Sequence, residues 1–407
     1  SMNRKYIGGY DDEGVFNSEI PVSIILPSEN SCMPCLSAFD SSTDEYIYYN
    51  QSFRLTNTIK QDTVVINEDE TLELKYTLNS SSGTLIEKTV VFSGNSYVSD
   101  HFFSINNNNL NSPGKLEIFW DGGLRPTEEI ENEDVQYGLA IVGQVEEIDD
   151  IHMDSPNDNI KRQVYNGNTD WVAARTKYFI SALIANEPRG DFGTLSANNN
   201  FFGGRIHTPT YKIGIGYPFD INNISSKIYL GPLDVDHISD AGSGLDKTMN
   251  WGYSIIRPIS KGVLWILKFM HHTFNINYGL VLLIFAVCIR LITGPLTKKS
   301  FESSQNMQKI QPELKKIQAK YKTNPQGLNS ETMALYKKHK VNPLGGCLPI
   351  LLQMPLLWAL FIVFRTTIEF RGAPFIFWIN DLSKPDVVFN LPFTLPIYGN
   401  GVAILPL

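Results

Sequence analysis

Residues 278–298 read YGLVLLIFAVCIRLITGPLTK, an apolar run in which Arg290 is the one charge before the final lysine. About 20 apolar residues in a helix are enough to cross a hydrocarbon core ~30 Å thick. We therefore predict a transmembrane helix at residues 276–297. A second apolar run predicts another transmembrane helix at residues 342–367. The chain is thus expected to contain a membrane α-helical core.

The composition of the rest of the chain is very different. The 407 residues carry a net charge of −8, an average that by itself resembles an ordinary acidic soluble protein. Residues 1–245 are polar and interrupted by turn sequences, whereas long apolar runs begin only after Trp251. Because the polar part is long enough to bury its own core, we predict a separate domain at residues 1–245.

Short strands dominate the predicted secondary structure of this polar part. At residues 72–78 every second residue is apolar, which is the period of a half-buried strand. A helix candidate lies at residues 170–186. Many short strands separated by turns favour an all-β sandwich with a few helices. Further strand candidates lie at residues 84–92, 97–104 and 115–120.

A strongly basic segment separates the two predicted spans. Residues 298–340 contain ten lysines and three glutamates, a net charge of +7. Short loops rich in Lys and Arg remain on the cytoplasmic side of a membrane. We therefore place residues 298–341 in the cytoplasm and residues 1–245 on the opposite side of the membrane. The lysines expected to form the exposed cytoplasmic surface are Lys298, Lys299, Lys309, Lys315, Lys316, Lys337 and Lys338.

The basic segment is predicted to form a helical hairpin. Its first arm carries an apolar stripe with a spacing of three and four residues. The sequence TNPQG at residues 323–327 ends this arm, and a second amphipathic helix follows. Two roles remain open: a positive face attracted to anionic lipid headgroups, or a docking arm for client proteins or ribosomal RNA. The stripe consists of Met307, Ile310, Leu314, Ile317 and Tyr321.

Residues 246–275 are predicted to contain an amphipathic helix that lies in the membrane interface. Arg257, Lys261 and Lys268 fall on one side of this helix. An ordinary packed amphipathic helix is the alternative. The apolar residues on the other side are Ile255, Ile259, Val263, Ile266 and Met270.

Arg290 is the candidate functional residue of the first span. A guanidinium inside hydrocarbon costs ~2.5–3.5 kcal/mol on insertion scales, and it persists mainly beside water or a partner. One interpretation is that its long side chain extends toward the cytoplasmic headgroups, with Lys298 lying eight residues further along the helix. The other is a water-filled cavity, open to the cytoplasm, in which Arg290 offers a positive charge to polar or acidic segments.

The sequence around Arg290 resembles the YidC family of membrane protein insertases. The stretch RLITGPLTK at residues 290–298 is similar to a motif of that family. The polar part, which ends in LGPLD at residues 230–234, resembles the large periplasmic β-domain of Gram-negative members. Further similar stretches are NPLGGC at 342–347 with Pro349, QMP at 353–355, Glu369 and Arg371 with APF at 373–375, and WINDLS at 378–383.

The resemblance implies a multi-pass protein of the cell inner membrane with five core spans. The first span and the last two are expected to be absent here, and residues 368–407 are expected to be a periplasmic loop and the start of the next span. The family's hydrophilic groove implies a role for Arg290, with Gln353 adding polarity from the second span.

The activity implied by the resemblance is insertion of membrane proteins. The expected partners are nascent membrane proteins, a Sec-type translocon, the lipid bilayer and, as a further candidate, the ribosome. No phosphate-binding glycine loop is visible in the sequence. This agrees with insertion that needs no nucleotide. For an insertase we expect no catalytic residues, no cofactor and no metal, and we do not expect an enzyme.

Two cysteines, Cys32 and Cys35, stand at the CxxC spacing of redox motifs. No βαβ pattern surrounds them, so a local structural disulfide or a pair of free thiols is expected rather than catalysis. Zinc would need two further ligands. Cys288 and Cys347 are expected to be apolar packing residues of the spans.

Two other classes of protein remain open. A channel or transporter could also place Arg290 in a membrane. A membrane-anchored periplasmic β-domain that acts as a scaffold would explain residues 1–245 but would give Arg290 no role. Loss of client insertion on replacement of Arg290 by Ala distinguishes an insertase from a scaffold, and an ion-flux assay in liposomes identifies a channel.

Overall fold

The computed structural model divides the chain into two compact units, Ser1–Met249 and Asn250–Leu407. We call them the β-domain and the helical unit. The structure describes residues 6–403 except for residues 12–13, 27–31, 41–44, 58–62, 81–82, 107–112, 130–132, 146, 154, 156–157, 159, 203–205, 219–222, 323, 340, 342–347, 377 and 396–398.

The β-domain is built from antiparallel strands. In chain order they are β1 Ile7–Tyr10, β2 Phe16–Pro21, β3 Cys32–Asp40, β4 Glu45–Tyr49, β5 Arg54–Leu55, β6 Thr71–Asn79, β7 Leu85–Ser93, β8 Val98–Asn106, β9 Pro113–Asp121, β10 Leu139–Gln144, β11 Glu147–Ile151, β12 Lys161–Thr169, β13 Trp171–Arg175, β14 Phe179–Ala185, β15 Gly190–Asn198, β16 Phe201–Phe202, β17 Ile206–His207, β18 Thr210–Pro218 and β19 Asn223–Pro232.

Two large sheets face each other across one hydrophobic core. The larger sheet has the strand order β11-β10-β13-β14-β19-β8-β7-β6-β5, and the smaller has the order β12-β15-β18-β9-β3-β4. Phe103 and Leu183 of the larger sheet share this core with Ile118, Leu195 and Ile213 of the smaller one. The all-β sandwich predicted from the alternating sequence is therefore confirmed.

The strand candidates of the first half are confirmed, but the helix candidate at residues 170–186 is wrong. This stretch forms β13 and β14, which pair with each other and lie in the middle of the larger sheet. Every residue of β13 is buried. A strand that is covered on both faces loses the polar–apolar alternation, so its apolar run cannot be distinguished from a buried helix by periodicity.

The β-domain contains two short α-helices, α1 Glu133–Tyr137 and α2 Val235–Asp240, and a 3₁₀ turn at Leu245–Thr248. Asp234 caps α2, because its carboxylate accepts a hydrogen bond from the Asp236 amide at 3.0 Å. These are the few helices expected beside the sandwich.

The helical unit has four longer helices. They are α3 Arg257–Phe274, α4 Tyr278–Lys320, α5 Pro325–Lys338 and α6 Leu348–Thr366, followed by a 3₁₀ turn at Ile368–Phe370. α3 contacts both α4 and α6. Asn277 caps α4 by accepting from the Leu280 amide at 2.8 Å, and Asn324 caps α5 by accepting from the Gly327 amide at 3.1 Å.

α4 is one continuous helix over two segments that were predicted from the sequence as separate elements. Its 43 residues include residues 278–297 of the predicted span at 276–297 and the first arm of the basic hairpin, and Pro295 and Pro312 lie inside it. Within the described residues, α4 is the one helix whose length and apolar composition suffice to cross a membrane. The described apolar part of α6, Gln353–Thr366, is shorter than a span.

Residues 399–403, in the segment expected to begin a further span, form a strand. Gly399–Ala403 forms strand β21, which pairs antiparallel with β20, Val387–Leu395. An apolar run this short fits a strand as well as a helix. Residues 399–403 pair with β20 and adopt the strand form, and residues 404–407 lie outside the described residues.

Candidate functional site

A cavity of about 520 Å³ lies between α4 and α6 of the helical unit. Its wall is mostly aliphatic and aromatic, with Arg290, Thr293 and Gln353 as the polar contributors. The segment after α6 closes it with Phe375, Ile379 and Leu382. The remaining lining residues are Leu282, Leu283, Phe285, Ala286, Ile289, Leu356, Leu357, Leu360 and Phe364.

Arg290 and Gln353 are the two groove residues predicted from the sequence, and both line this one cavity. Arg290 comes from α4 and Gln353 from α6, so residues 63 positions apart in sequence share a wall. The Arg290 side chain is exposed. Within the described part of the chain, no carboxylate lies within ion-pair distance of it. The guanidinium is therefore accessible to an external group.

The hydroxyl of Thr293, unlike the Arg290 guanidinium, is not available to bind an external group. Its Oγ1 donates to the carbonyl of Ile289, one turn earlier in α4, at 2.8 Å. This intrahelical bond satisfies the hydroxyl inside an apolar wall. Arg290 and Gln353 consequently supply the polar groups available to a ligand in the cavity.

The segment after α6 is held in place by Asp381. Its Oδ1 accepts hydrogen bonds from the amides of Gly372 and Ser383, both at 2.9 Å, and from the Ser383 hydroxyl at 2.7 Å. Phe375 then packs closely on α4, because a Cβ added at Gly279 would come within 2.2 Å of its ring. Gly279 is thus required for the close approach that closes the cavity.

A buried polar cluster connects three elements of the helical unit. Glu369 accepts a hydrogen bond from the Tyr278 hydroxyl at 2.8 Å and pairs with Lys268 at 3.3 Å. The Tyr278 ring stacks on His271 with 4.1 Å between centroids. The cluster joins α3, the start of α4 and the 3₁₀ turn after α6.

The sequence interpretation missed this cluster, because it placed Lys268 on the solvated side of the interfacial helix. In the structure the Lys268 side chain is only 14% exposed and Glu369 only 5%. The available signal was Glu369 itself, since a carboxylate directly between Ile368 and Phe370 needs a cationic partner when it is buried.

The apolar side chains of α3 divide into two groups. Val263, Leu264 and Leu267 are buried within the helical unit. Trp265 and Phe269 are exposed and stack on each other at 5.5 Å. The predicted apolar face placed Val263 toward lipid, whereas packing against α4 and α6 turns it inward.

The outer faces of α4 and α6 expose large apolar residues. Leu291 and Ile292 of α4 are 71% and 74% exposed, and Leu351 and Leu357 of α6 are similar. Such surface is unfavourable in water and natural in lipid. Cys288 also points outward as a free thiol, so its predicted role in packing within the helical unit is wrong. Cys347 lies outside the described residues.

The basic hairpin has the predicted division into an apolar and a polar side. Ile310 and Leu335 are buried between α4 and α5, and His339 pairs with Glu313 across the two helices at 3.3 Å. All seven predicted lysines are exposed and none lines the cavity. These residues are Lys298, Lys299, Lys309, Lys315, Lys316, Lys337 and Lys338.

The CxxC motif has no accessible thiol at Cys35. This residue is fully buried in β3 and disulfide-bonded, which excludes a free thiol there. The side chain of Cys32 lies outside the described residues. Among the residues that the structure describes, no group of three or more His, Cys, Asp or Glu side chains could hold a metal ion.

The core of the β-domain contains titratable groups of its own. The Lys88 ammonium donates to the Pro34 carbonyl at 2.9 Å, and burial lowers its pKa to about 8. Burial, followed by the Lys88 charge, lowers the pKa of His101 to about 3. Burial, followed by the charge of Glu128, raises the pKa of Asp134 to about 6. These shifts reflect desolvation inside a closed core.

Comparison with known proteins finds relatives over nearly the whole chain. The family described as YidC periplasmic domain matches residues 40–266, and the family described as 60Kd inner membrane protein matches residues 269–407. A Chlorobium phaeovibrioides protein named Membrane protein insertase YidC is 38% identical over 83% of this chain and 58% of its own length. A protein of the same name from Chloroherpeton thalassium is 34% identical over 91% of this chain and 64% of its own.

The chain spans about three fifths of the length of these relatives. Among solved structures, a bacterial glucoamylase aligns with 53% of this chain and with 28% of its own chain at 11% identity. The TM-score of 0.31 is too low to support a structural or functional comparison. The two family matches meet within three residues of each other and together extend from residue 40 to residue 407. The chain therefore belongs to the YidC family of membrane protein insertases.

Proposed function

We propose that this protein inserts nascent membrane proteins into the lipid bilayer and that the cavity containing Arg290 receives their hydrophilic segments. The observation that carries the proposal is the cavity of about 520 Å³, in which an accessible guanidinium lies on a mostly apolar wall. A polar segment that would be unstable in lipid finds a charged partner there.

The attraction to Arg290 arises from the low polarity of its surroundings. A charge flanked by hydrocarbon interacts more strongly with an opposite charge than it does in water. Acidic or polar tails of a client are therefore the preferred occupants. Gln353 adds an amide that can donate to a tail and accept from it.

The apolar part of the client follows a different route. The exposed outer faces of α4 and α6 offer a hydrocarbon-like surface along which a client helix moves into lipid. Hydrophobic transfer drives this step at ~25 cal/mol per Å² of apolar surface removed from water. A membrane potential adds ~2.3 kcal/mol per charge and 100 mV. Insertion by this route requires no nucleotide.

The proposed arrangement is a multi-pass protein of the cell inner membrane. The β-domain lies in the periplasm, and the basic hairpin lies in the cytoplasm, as the excess of lysines over residues 298–340 favours. In the cytoplasm the exposed lysines meet clients, anionic lipid or the ribosome. Cooperation with a Sec-type translocon is part of the same proposal.

The test replaces Arg290 by Ala and follows insertion of a single-span client with an acidic tail into proteoliposomes that contain the full-length protein. A charged hydrogen bond contributes ~1.5–3 kcal/mol, so the initial rate of client protection from protease should fall roughly 10-fold to 100-fold. Arg290→Lys, which keeps the charge, should retain most of the rate.

The matched control is Arg365→Ala on α6, whose guanidinium lies 5.1 Å from the Phe361 ring and does not line the cavity. This variant should insert the client normally. Normal insertion of every client by Arg290→Ala would contradict the proposal and favour a scaffold. Ion flux through liposomes containing the protein alone would favour a channel.

A further inference from the structure

We propose that the β-domain binds one small monovalent anion, of the size of a halide ion, at Arg175. Arg175 ends β13 in the middle of the larger sheet and faces a cavity of about 20 Å³. The site lies wholly within the β-domain and does not depend on the proposed insertase function. The cavity is lined by Leu124, Pro126, Asp134, Val135, Gly138, Arg175, Thr176, His207, Thr208, Pro209 and Tyr211.

Arg175 is a buried cation that forms no ion pair with any residue that the structure describes. Its side chain belongs to a residue that is 8% exposed, and its Nε has no hydrogen-bond partner in the described part of the protein. Burial lowers the pKa of Arg175 to about 10, so the guanidinium remains protonated at neutral pH. A buried charge without a partner is strongly unfavourable, and a bound anion removes that cost.

The carboxylates near Arg175 are already engaged elsewhere. Asp134, which lines the same cavity, accepts hydrogen bonds from the backbone amides of Thr127 at 2.7 Å, Glu128 at 3.0 Å and Lys177 at 3.4 Å. Asp150 acts on Arg175 through its charge, but it forms no ion pair or hydrogen bond with it among the described residues; Asp150 is half exposed and lies 3.6 Å from His152. Arg175 therefore lines the cavity with a guanidinium whose Nε has no hydrogen-bond partner among the described residues.

The dimensions of the cavity select the kind of anion. A single water needs ~10–15 Å³ of such space, so a volume of about 20 Å³ holds one small ion but not a phosphate or a sulfate. Leu124, Pro126, Val135 and Pro209 contribute apolar walls. A weakly hydrated monovalent ion enters such surroundings more readily than a strongly hydrated divalent one.

Side chains of the protein itself are also kept out of the cavity. A Cβ added at Gly138 would come within 2.7 Å of the Asp134 carbonyl, so a side chain is excluded from this wall. The Tyr211 hydroxyl donates to the Gly138 carbonyl at 2.9 Å and fixes the opposite wall. The space beside Arg175 is thus maintained by the fold.

The experiment measures binding of chloride to the full chain in detergent by ³⁵Cl NMR line broadening, with gluconate as the balancing anion at constant ionic strength. The wild-type protein should broaden the line and bromide should reverse the effect. Arg175→Met, which keeps the side-chain volume but removes the charge, should abolish the broadening. Arg189→Met is the matched control, because Arg189 is half exposed and pairs with Asp170 at 3.2 Å.

A second measurement remains informative if Arg175→Met fails to fold. At chloride about five times its dissociation constant, the wild-type β-domain should unfold at a temperature roughly 2–4 °C higher than in gluconate. Absence of both the broadening and this shift in the wild-type protein would overturn the proposal. Stronger competition by acetate than by bromide would overturn the assignment to a halide-sized ion.

Discussion

The β-domain and the helical unit differ in how far their large apolar side chains are exposed. In the β-domain the large residues Trp171, Tyr178 and Phe179 are at most 2% exposed. In the helical unit Trp265, Leu291 and Ile292 are all at least 66% exposed. The difference shows that the two regions are built for two solvents, because water drives apolar surface inward and lipid does not.

The same contrast extends to the unpaired arginines. Arg175 lines a cavity of about 20 Å³ in a closed sandwich, whereas Arg290 lines one of about 520 Å³ between two helices. An ion can neutralise the first, and a polypeptide segment can reach the second. The size of the surrounding space therefore decides which kind of partner each charge can accept.

The substitution with the largest expected effect, on the stability of the helical unit, tests whether every charge of this unit is as accessible as Arg290. Glu369→Ala removes the partner of Lys268, whose side chain is only 14% exposed. Loss of one member of a buried pair costs ~3–5 kcal/mol. We expect hydrogen exchange of the α3 and α4 amides to accelerate correspondingly, while the β-domain amides keep their protection.

The control for this variant is Glu313→Ala in the basic hairpin. Glu313 pairs with His339 at 3.3 Å, but its side chain is 48% exposed. An exposed pair contributes at most ~1 kcal/mol. Equal effects of the two substitutions would show that Glu369 is not a special anchor of the helical unit.

The second prediction concerns the pH dependence of stability, and it tests whether the core of the β-domain is closed to water. Because the pKa of His101 is lowered to about 3 in the folded state, the unfolded chain binds the additional proton as the pH falls below ~6.5. The contribution of neutral His101 to stability is therefore complete above pH 6.5 and is lost toward pH 3. Between pH 6.5 and pH 5 we expect a loss of ~1.5–2 kcal/mol, which His101→Gln should abolish.

Hydrogen exchange of the β7 and β8 amides at the two pH values measures this difference. His152→Gln is the matched control, since His152 is 52% exposed. Asp134 acts in the opposite direction, because its raised pKa favours the folded state as the pH falls through 6. This contribution is common to the wild type and both variants. An unchanged pH response in His101→Gln would show that water reaches this part of the core.

The smallest expected effect concerns the polarity of the large cavity. Gln353→Leu removes one neutral hydrogen-bonding group, a contribution of ~0.5–1.5 kcal/mol. Insertion of a client with a polar tail should slow roughly 2-fold to 10-fold in the proteoliposome assay. Gln353→Asn should be closer to the wild type. A normal rate in Gln353→Leu would mean that Arg290 alone provides the polarity that clients sense.

Local patterns in the sequence were sufficient for much of this protein. The alternation at residues 72–78 predicted β6, and the apolar run with Arg290 predicted the part of α4 that is long and apolar enough to cross a membrane. The spacing of Ile310 and its neighbours predicted the inner side of the hairpin. These features follow from the periods of strands and helices and from bilayer thickness, which depend on neighbouring residues alone.

Other features were decided by the tertiary structure. Packing of α3 on its neighbours moved Lys268 from a predicted solvated face to a buried pair with Glu369. Pairing with neighbouring strands made residues 171–185 part of the larger sheet rather than a helix. The same packing buried Arg175. Each of these outcomes joins residues far apart in sequence. Desolvation and pairing depend on what the fold brings together, and no local period records it.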